Sequence, residues 1–166
     1  MSLDNLRLPS FIIQDLFQSC LVDLTLDILA KSGVKKGEIN FFGGNNQHIT
    51  VVVNTVNGEF ISPEQLNFLS GIITACKLTL EDIAIVNIAA HSSLSYQKII
   101  TALAPKIVLL FGVSPETIQL PFVIPEFQKQ VYASCLYLSA PDLNKLEENK
   151  DLKKQLWLIL KQIFSL

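Results

Sequence analysis

Three short apolar runs rich in β-branched residues constrain this chain most: HITVVVNTV from His48, DIAIVNIA from Asp82 and KIVLLFG from Lys106. Each is too short and too uniformly apolar for an amphipathic helix, whose polar face would interrupt the run. They read as strands buried on both faces. Helical signatures lie between them. Ser62-Pro63-Glu64 supplies an N-cap, a proline at the first helical position and an acidic first turn, ahead of Leu66, Leu69, Ile72, Ile73 and Cys76. Tyr96 to Leu103 reads as a short helix, capped from the Ser92–Ser95 stretch and ended at Ala104-Pro105. Strands alternating with helices at this spacing build βαβ units and a mostly parallel sheet.

The rest of the chain fits around that frame. INFFGG reads as a short strand and the following NNQ as a turn. The paired glycines match neither GxGxxG nor a P-loop, and they lead into a strand instead of a helix. Val113 to Gln130, with Pro115, Pro121 and Pro125, is expected to be mostly irregular, with one helical turn. VYASCLYLS reads as the last strand, and APDLNKLEENKDLKKQLWLILKQIF as a short helix followed by a longer one. At the start, Ser10 can cap a helix with Ile13, Phe17, Cys20, Leu24 and Ile28 on one stripe, stopped by Gly33. No repeat or linker divides the sequence. The expectation is one domain over 1–166, with an N-terminal helical segment at about 1–33 and an α/β body at about 39–166. Its fold class is three-layer α/β/α with a mostly parallel sheet of roughly four strands.

The sequence is 49% hydrophobic and 17% charged, which suits a sheet covered on both sides. No apolar run reaches the roughly 18 residues that span a bilayer. MSLDNLRLPS lacks the basic start and cleavage site of a secretory signal, so a cytoplasmic protein without membrane partners is expected. The net charge is −2, and Lys150, Lys153 and Lys154 are interleaved with Glu147, Glu148 and Asp151. That is a solvated helix face and not a phosphate track, so no direct sequence-specific nucleic-acid binding is expected. Cys20, Cys76 and Cys135 are widely spaced in apolar surroundings, and His48 and His91 are the two histidines. Neither a metal site nor a disulfide framework nor a cofactor is implied.

Few residues have the placement that chemistry needs. His91-Ser92-Ser93 follows a strand, but no GxSxG elbow surrounds either serine, and helix capping is the simpler role. Asn87 is a polar group at the end of a buried strand, suited to bonding neighbouring loops or contacting a ligand. Glu59 and Asp142 lie beyond the first and last strands, where two carboxyls could share one rim of the sheet for acid/base work. Asp142 also stands at a helix start, as a cap does. Glu59, Asn87 and Asp142 are therefore the catalytic set of an enzyme reading; the reading without catalysis assigns no such residues. Trp157, among Leu152, Leu156, Leu160, Ile163 and Phe164, is expected in the core.

The terminal segment carries a family resemblance. Pro141, Leu143, Leu146, Asn149, Lys153, Leu156 and Trp157 fall without a gap into a pattern similar to the closing segment of the psi subunit of the bacterial DNA polymerase III holoenzyme. NFLSGIITACKLTLEDIAIVNI resembles the helix and strand that precede it in psi. Psi in turn resembles the uracil-DNA glycosylase superfamily in fold. Within that wider group Asn87 matches an asparagine that recognises uracil in some members, and Ala140-Pro141 takes the place of a His-Pro pair. The resemblance implies a uracil-DNA glycosylase-like fold without the catalysis. Ala140 replaces the histidine that stabilises the departing anion. Gly58-Glu59 lacks the Pro-Gly that completes the first-strand motif, and the stacking loop before Ser62 is cut short. The implied function is that of an accessory or adaptor protein of replication, not an enzyme, with clamp-loader subunits as partners. By analogy with psi, the N-terminal segment would present Ile12, Ile13, Leu16 and Phe17 as partner-binding anchors; the same residues could equally cover a sheet face. The rival is a diverged base- or nucleotide-processing enzyme of the superfamily; an orphan protein-binding domain of the same fold is a third reading.

Overall fold

Each of the three apolar runs forms a strand: β2 (Ile49–Val53), β3 (Ile83–Asn87) and β4 (Ile107–Phe111). A computed structural model of the chain describes residues 39–56, 60–91 and 93–165, which fall in one compact unit, 34–166. The N-terminal helix expected from Ser10, with the anchors Ile12, Ile13, Leu16 and Phe17, lies outside the described residues, as does Glu59. With β1 (Phe42–Gly43), β5 (Lys129–Tyr132) and β6 (Cys135–Ala140) the strands form one six-stranded sheet in the order β1-β3-β2-β4-β6-β5. The four central strands are parallel, and β1 and β5 run antiparallel at the edges. Among the described residues four α-helices accompany them: α1 (Pro63–Ala75), α2 (Tyr96–Leu103), α3 (Leu143–Glu148) and α4 (Lys150–Phe164).

Period-two alternation sorts the strand side chains onto two faces, and both are buried. Ile49, Val51 and Val53 of β2 join Leu109, Phe111, Leu138 and Ala140 beneath α1, α3 and α4, which add Leu69, Ile73, Leu146, Leu156 and Leu160. Val52, Val86, Leu110 and Tyr137 point to the other face. There α2 contributes Ile99 and Leu103, and the proline-containing stretch contributes Val113, Ile118, Leu120 and Ile124. That stretch is irregular apart from a 3-10 turn at Pro115–Ile118, yet it covers the sheet as a helix would. Helix α1 follows β2 on one face and α2 follows β3 on the other. The chain thus changes direction across the sheet between β2 and β4, as right-handed crossovers require.

The sheet is larger than the roughly four strands expected, because the short strand in INFFGG joins its edge as β1 and VYASCLYLS is not one strand. It holds the end of β5, a two-residue turn at Ala133-Ser134 and β6. Both turn residues have positive φ, 49° and 61°, as a tight hairpin connection demands, but neither is the Gly or Asn that marks such a turn in a sequence. The paired glycines serve close approach. The chain from Gly44 to Gln47 wraps the 80–83 turn: Gly44 N donates to Leu80 O (3.3 Å), Asn45 N to Ile83 O (3.0 Å), Asn46 N to Glu81 O (3.0 Å) and Gln47 N to Asp82 O (3.0 Å). A Cβ on Gly44 would overlap the Glu81 carbonyl, whereas one on Gly71 in α1 would meet nothing within 4 Å. Gly44→Ala is therefore expected to lower unfolding free energy by about 1–3 kcal/mol through forced backbone shifts. Gly71→Ala should leave it unchanged or raise it by up to about 1 kcal/mol. Urea denaturation of the two variants checks the opposite signs.

Candidate functional site

The carboxyl ends of β2 and β4 flank the point where the strand order reverses, the place where open α/β sheets hold their ligands. In this protein a chain of side-chain hydrogen bonds runs through that position. Asn87, 1% exposed at the end of β3, accepts at Oδ1 from the Thr55 amide (3.0 Å) and the Ala89 amide (3.1 Å). Its Nδ2 donates to Thr55 O (2.8 Å). Thr55 Oγ1 donates to Gln65 Oε1 (3.0 Å), and Gln65 Nε2 donates to Asn144 Oδ1 (3.1 Å). Asn144 N in turn donates to Asp142 Oδ1 (2.8 Å). The side chains of Thr55 and Gln65 are buried, so each of these bonds satisfies groups that would otherwise lose their water.

The sequence places these groups for local reasons. Ser62 caps α1 by accepting from Gln65 N (3.3 Å), which turns the Gln65 side chain towards the sheet end. Asp142 caps α3, and its side chain lies against Gly112, where a Cβ would come within 3.0 Å of Asp142 Cβ and Oδ2. Gly112, at φ 63°, thus permits α3 to start directly above the end of β4.

Among the sequence-derived site residues, Asn87 and Asp142 do reach the same rim. Asn87 pairs in register with Val53, Val53 with Phe111 and Phe111 with Ala140, so the ends of β3 and β6 lie three strand spacings, about 14 Å, apart, while the Asp142 side chain reaches back over Gly112 at the end of β4. Ala140 and Pro141 are buried at the end of β6. His91 Nε2 lies 3.1 Å from Asn40 O, which ties it to the segment before β1, and Ser95 caps α2. Sequence reasoning missed Thr55, Gln65 and Asn144; none belongs to a motif, and their link appears only when the fold brings the loop after β2 and the first turns of α1 and α3 together.

Cys76 and Cys135 are buried free thiols, and burial pushes Cys135 up to about 11 from an ordinary value near 9. Burial also raises the Cys76 thiol and the Tyr137 hydroxyl. Groups held protonated in this way are poor nucleophiles. Among the described residues no three His, Cys, Asp or Glu side chains converge as metal ligands, and no helix is long and apolar enough to cross a membrane.

Trp157 differs from its expected place in the core. It is half-buried, packed on the core from outside, and lines an apolar groove of about 360 Å³ between α1 and α4. The ring stays partly open because Gly71 and Ala75, which share the groove on α1, carry almost no side chain to cover it.

No protein-family model and no curated protein matches this chain. The rim itself generates a test. Asn87→Ala removes at least three hydrogen bonds and strands two buried partners, so it is expected to lower stability by about 2–3 kcal/mol in thermal or urea unfolding. A residue kept for a ligand would give a near-neutral change.

Proposed function

We propose that this chain is a non-catalytic accessory protein, similar to the psi subunit of DNA polymerase III, that works by holding other replication proteins. The observation that carries the reading is the occupied rim. The crevice where a sheet of this kind would hold a substrate is spanned by the bonds from Asn87 through Thr55 and Gln65 to Asn144. Asn87, the counterpart of a base-recognising asparagine in the resemblance, has its Oδ1 engaged by two amides of the protein's own backbone. Asp142 is engaged as a helix cap.

The segment that carries the resemblance supports a uracil-DNA glycosylase-like fold in a further way. Leu143, Leu146 and Leu156 are buried, Asn149 caps α4 through Asp151 N and Leu152 N, and Lys153 lies 5.4 Å from the centre of the Phe68 ring. The residues of the pattern thus cap and bury a helix pair laid on a mostly parallel sheet, as such a fold would need. In this reading Ile12, Ile13, Leu16 and Phe17 anchor the N-terminal segment to a clamp-loader component, and the protein works in the cytoplasm.

The test is a pull-down from native lysate with the full-length protein and an Ile13→Asp/Phe17→Asp double variant, both first checked for folding by circular dichroism. Clamp-loader subunits are expected with the unmodified protein and at least about tenfold less with the variant, because a few apolar anchors dominate helix docking. The same preparation is expected to leave uracil-containing oligonucleotides intact. Equal recovery by both proteins, recovery of no replication protein, or excision of uracil would contradict the reading.

A further inference from the structure

The groove between α1 and α4 has the makings of a second contact surface. Its floor is apolar, formed by Ile72 from α1 and Leu156 and Leu160 from α4, and its walls are Phe68 and Trp157. Two features set it apart from an ordinary seam between packed helices. Gly71 stands in mid-helix with an ordinary negative φ and no neighbour near its missing Cβ, so neither backbone geometry nor packing among the described residues calls for glycine. A glycine there costs about 1 kcal/mol of helix stability relative to alanine, and its effect is to keep the groove open.

The second feature is charge. Lys153 lies over the Phe68 ring and Lys161 over the Trp157 ring, each 5.4 Å from the ring centre. These contacts hold two ammonium groups against the walls, and the lining contains no carboxylate to neutralise them. The two lysines are two helical turns apart, about 12 Å along α4, and the open stretch of α1 from Asn67 to Ala75 has the same length.

We propose that this groove receives an amphipathic helix of a partner protein that carries an apolar stripe flanked by carboxylates about two turns apart. The apolar stripe fills the space over Gly71 and Ala75, where small residues let two helix axes come close. The carboxylates meet Lys153 and Lys161. Charge selects this occupant over a basic helix, which would bring its cations against two fixed ammonium groups. The inference rests on the reading of the domain as a protein-binding module, and it does not depend on which replication protein the N-terminal segment engages.

Trp157 is the chain's sole tryptophan, so its fluorescence reports directly on the groove. The full-length protein is titrated with two synthetic helical peptides of about 16 residues, identical in their leucine stripe and flanked by glutamates in one and by lysines in the other. The glutamate peptide is expected to blue-shift Trp157 emission saturably and to bind at least about tenfold more tightly than the lysine peptide, with the gap narrowing as salt rises. Gly71→Leu fills the groove from a site with room for a side chain. It is expected to keep or raise the melting temperature while weakening glutamate-peptide binding by about tenfold or more. Lys153→Glu/Lys161→Glu is expected to reverse the preference. An unmoved Trp157 spectrum, equal binding of both peptides, or full binding by a folded Gly71→Leu variant would overturn the proposal. So would a blue shift that grows with protein concentration alone, since the occupant would then be a second copy. Loss of peptide binding with clamp-loader recovery intact removes the groove and leaves the adaptor reading; the converse removes the clamp-loader partner and leaves the groove.

Discussion

The β3-β2-β4-β6 ladder buries side chains on both of its faces. Val51 and Val52, neighbours on β2 that point in opposite directions, are each 0% exposed. A parallel ladder of this kind leaves no side for water, so the rest of the chain must supply two covers. On one face α1, α3 and α4 do so with regular stripes. On the other, α2 is joined by the irregular stretch from Val113 to Ile124, whose buried apolar residues matter more than its backbone conformation. The polar ends of the strands then face the loops, and the carboxyl rim becomes the place where the fold must satisfy groups that water cannot reach.

That requirement accounts for the bonds found at the rim. Asn87 ends a strand whose side chains are otherwise wholly apolar; two of its hydrogen bonds stitch the β3 end to the β2 loop and a third caps the turn that follows β3. Thr55, Gln65 and Asn144 extend the stitching to α1 and α3. Away from the rim, the α1–α4 groove combines an apolar floor with two lysines held over its aromatic walls and no carboxylate in its lining.

Much of this was legible in the sequence, for physical reasons. Unbroken Val- and Ile-rich runs can be little else than doubly buried strands, and Ser62-Pro63, Ser95 and Asp142 stand at the starts of their helices where local chemistry places them. Other features were hidden. The Ala133-Ser134 hairpin uses residues that seldom adopt positive φ, so one strand was read where there are two. Trp157 has the spacing of a core residue, and only the absence of side chains at Gly71 and Ala75, distant in sequence, leaves its ring half open. The polar chain across the rim joins residues from separate elements, which no local pattern reveals.

Amide hydrogen exchange at Thr55 and Ala89 tests the occupied rim most directly. Both amides donate to Asn87 Oδ1 at the end of the sheet, outside the strand ladder. If the rim is part of the folded core, they exchange only through large-scale opening, at rates near those of the central strand amides and unchanged by free nucleobases or nucleotides. Fast exchange at these two positions, or protection that appears only when a base or nucleotide is added, would mean that the crevice is open to ligand, and would contradict the account.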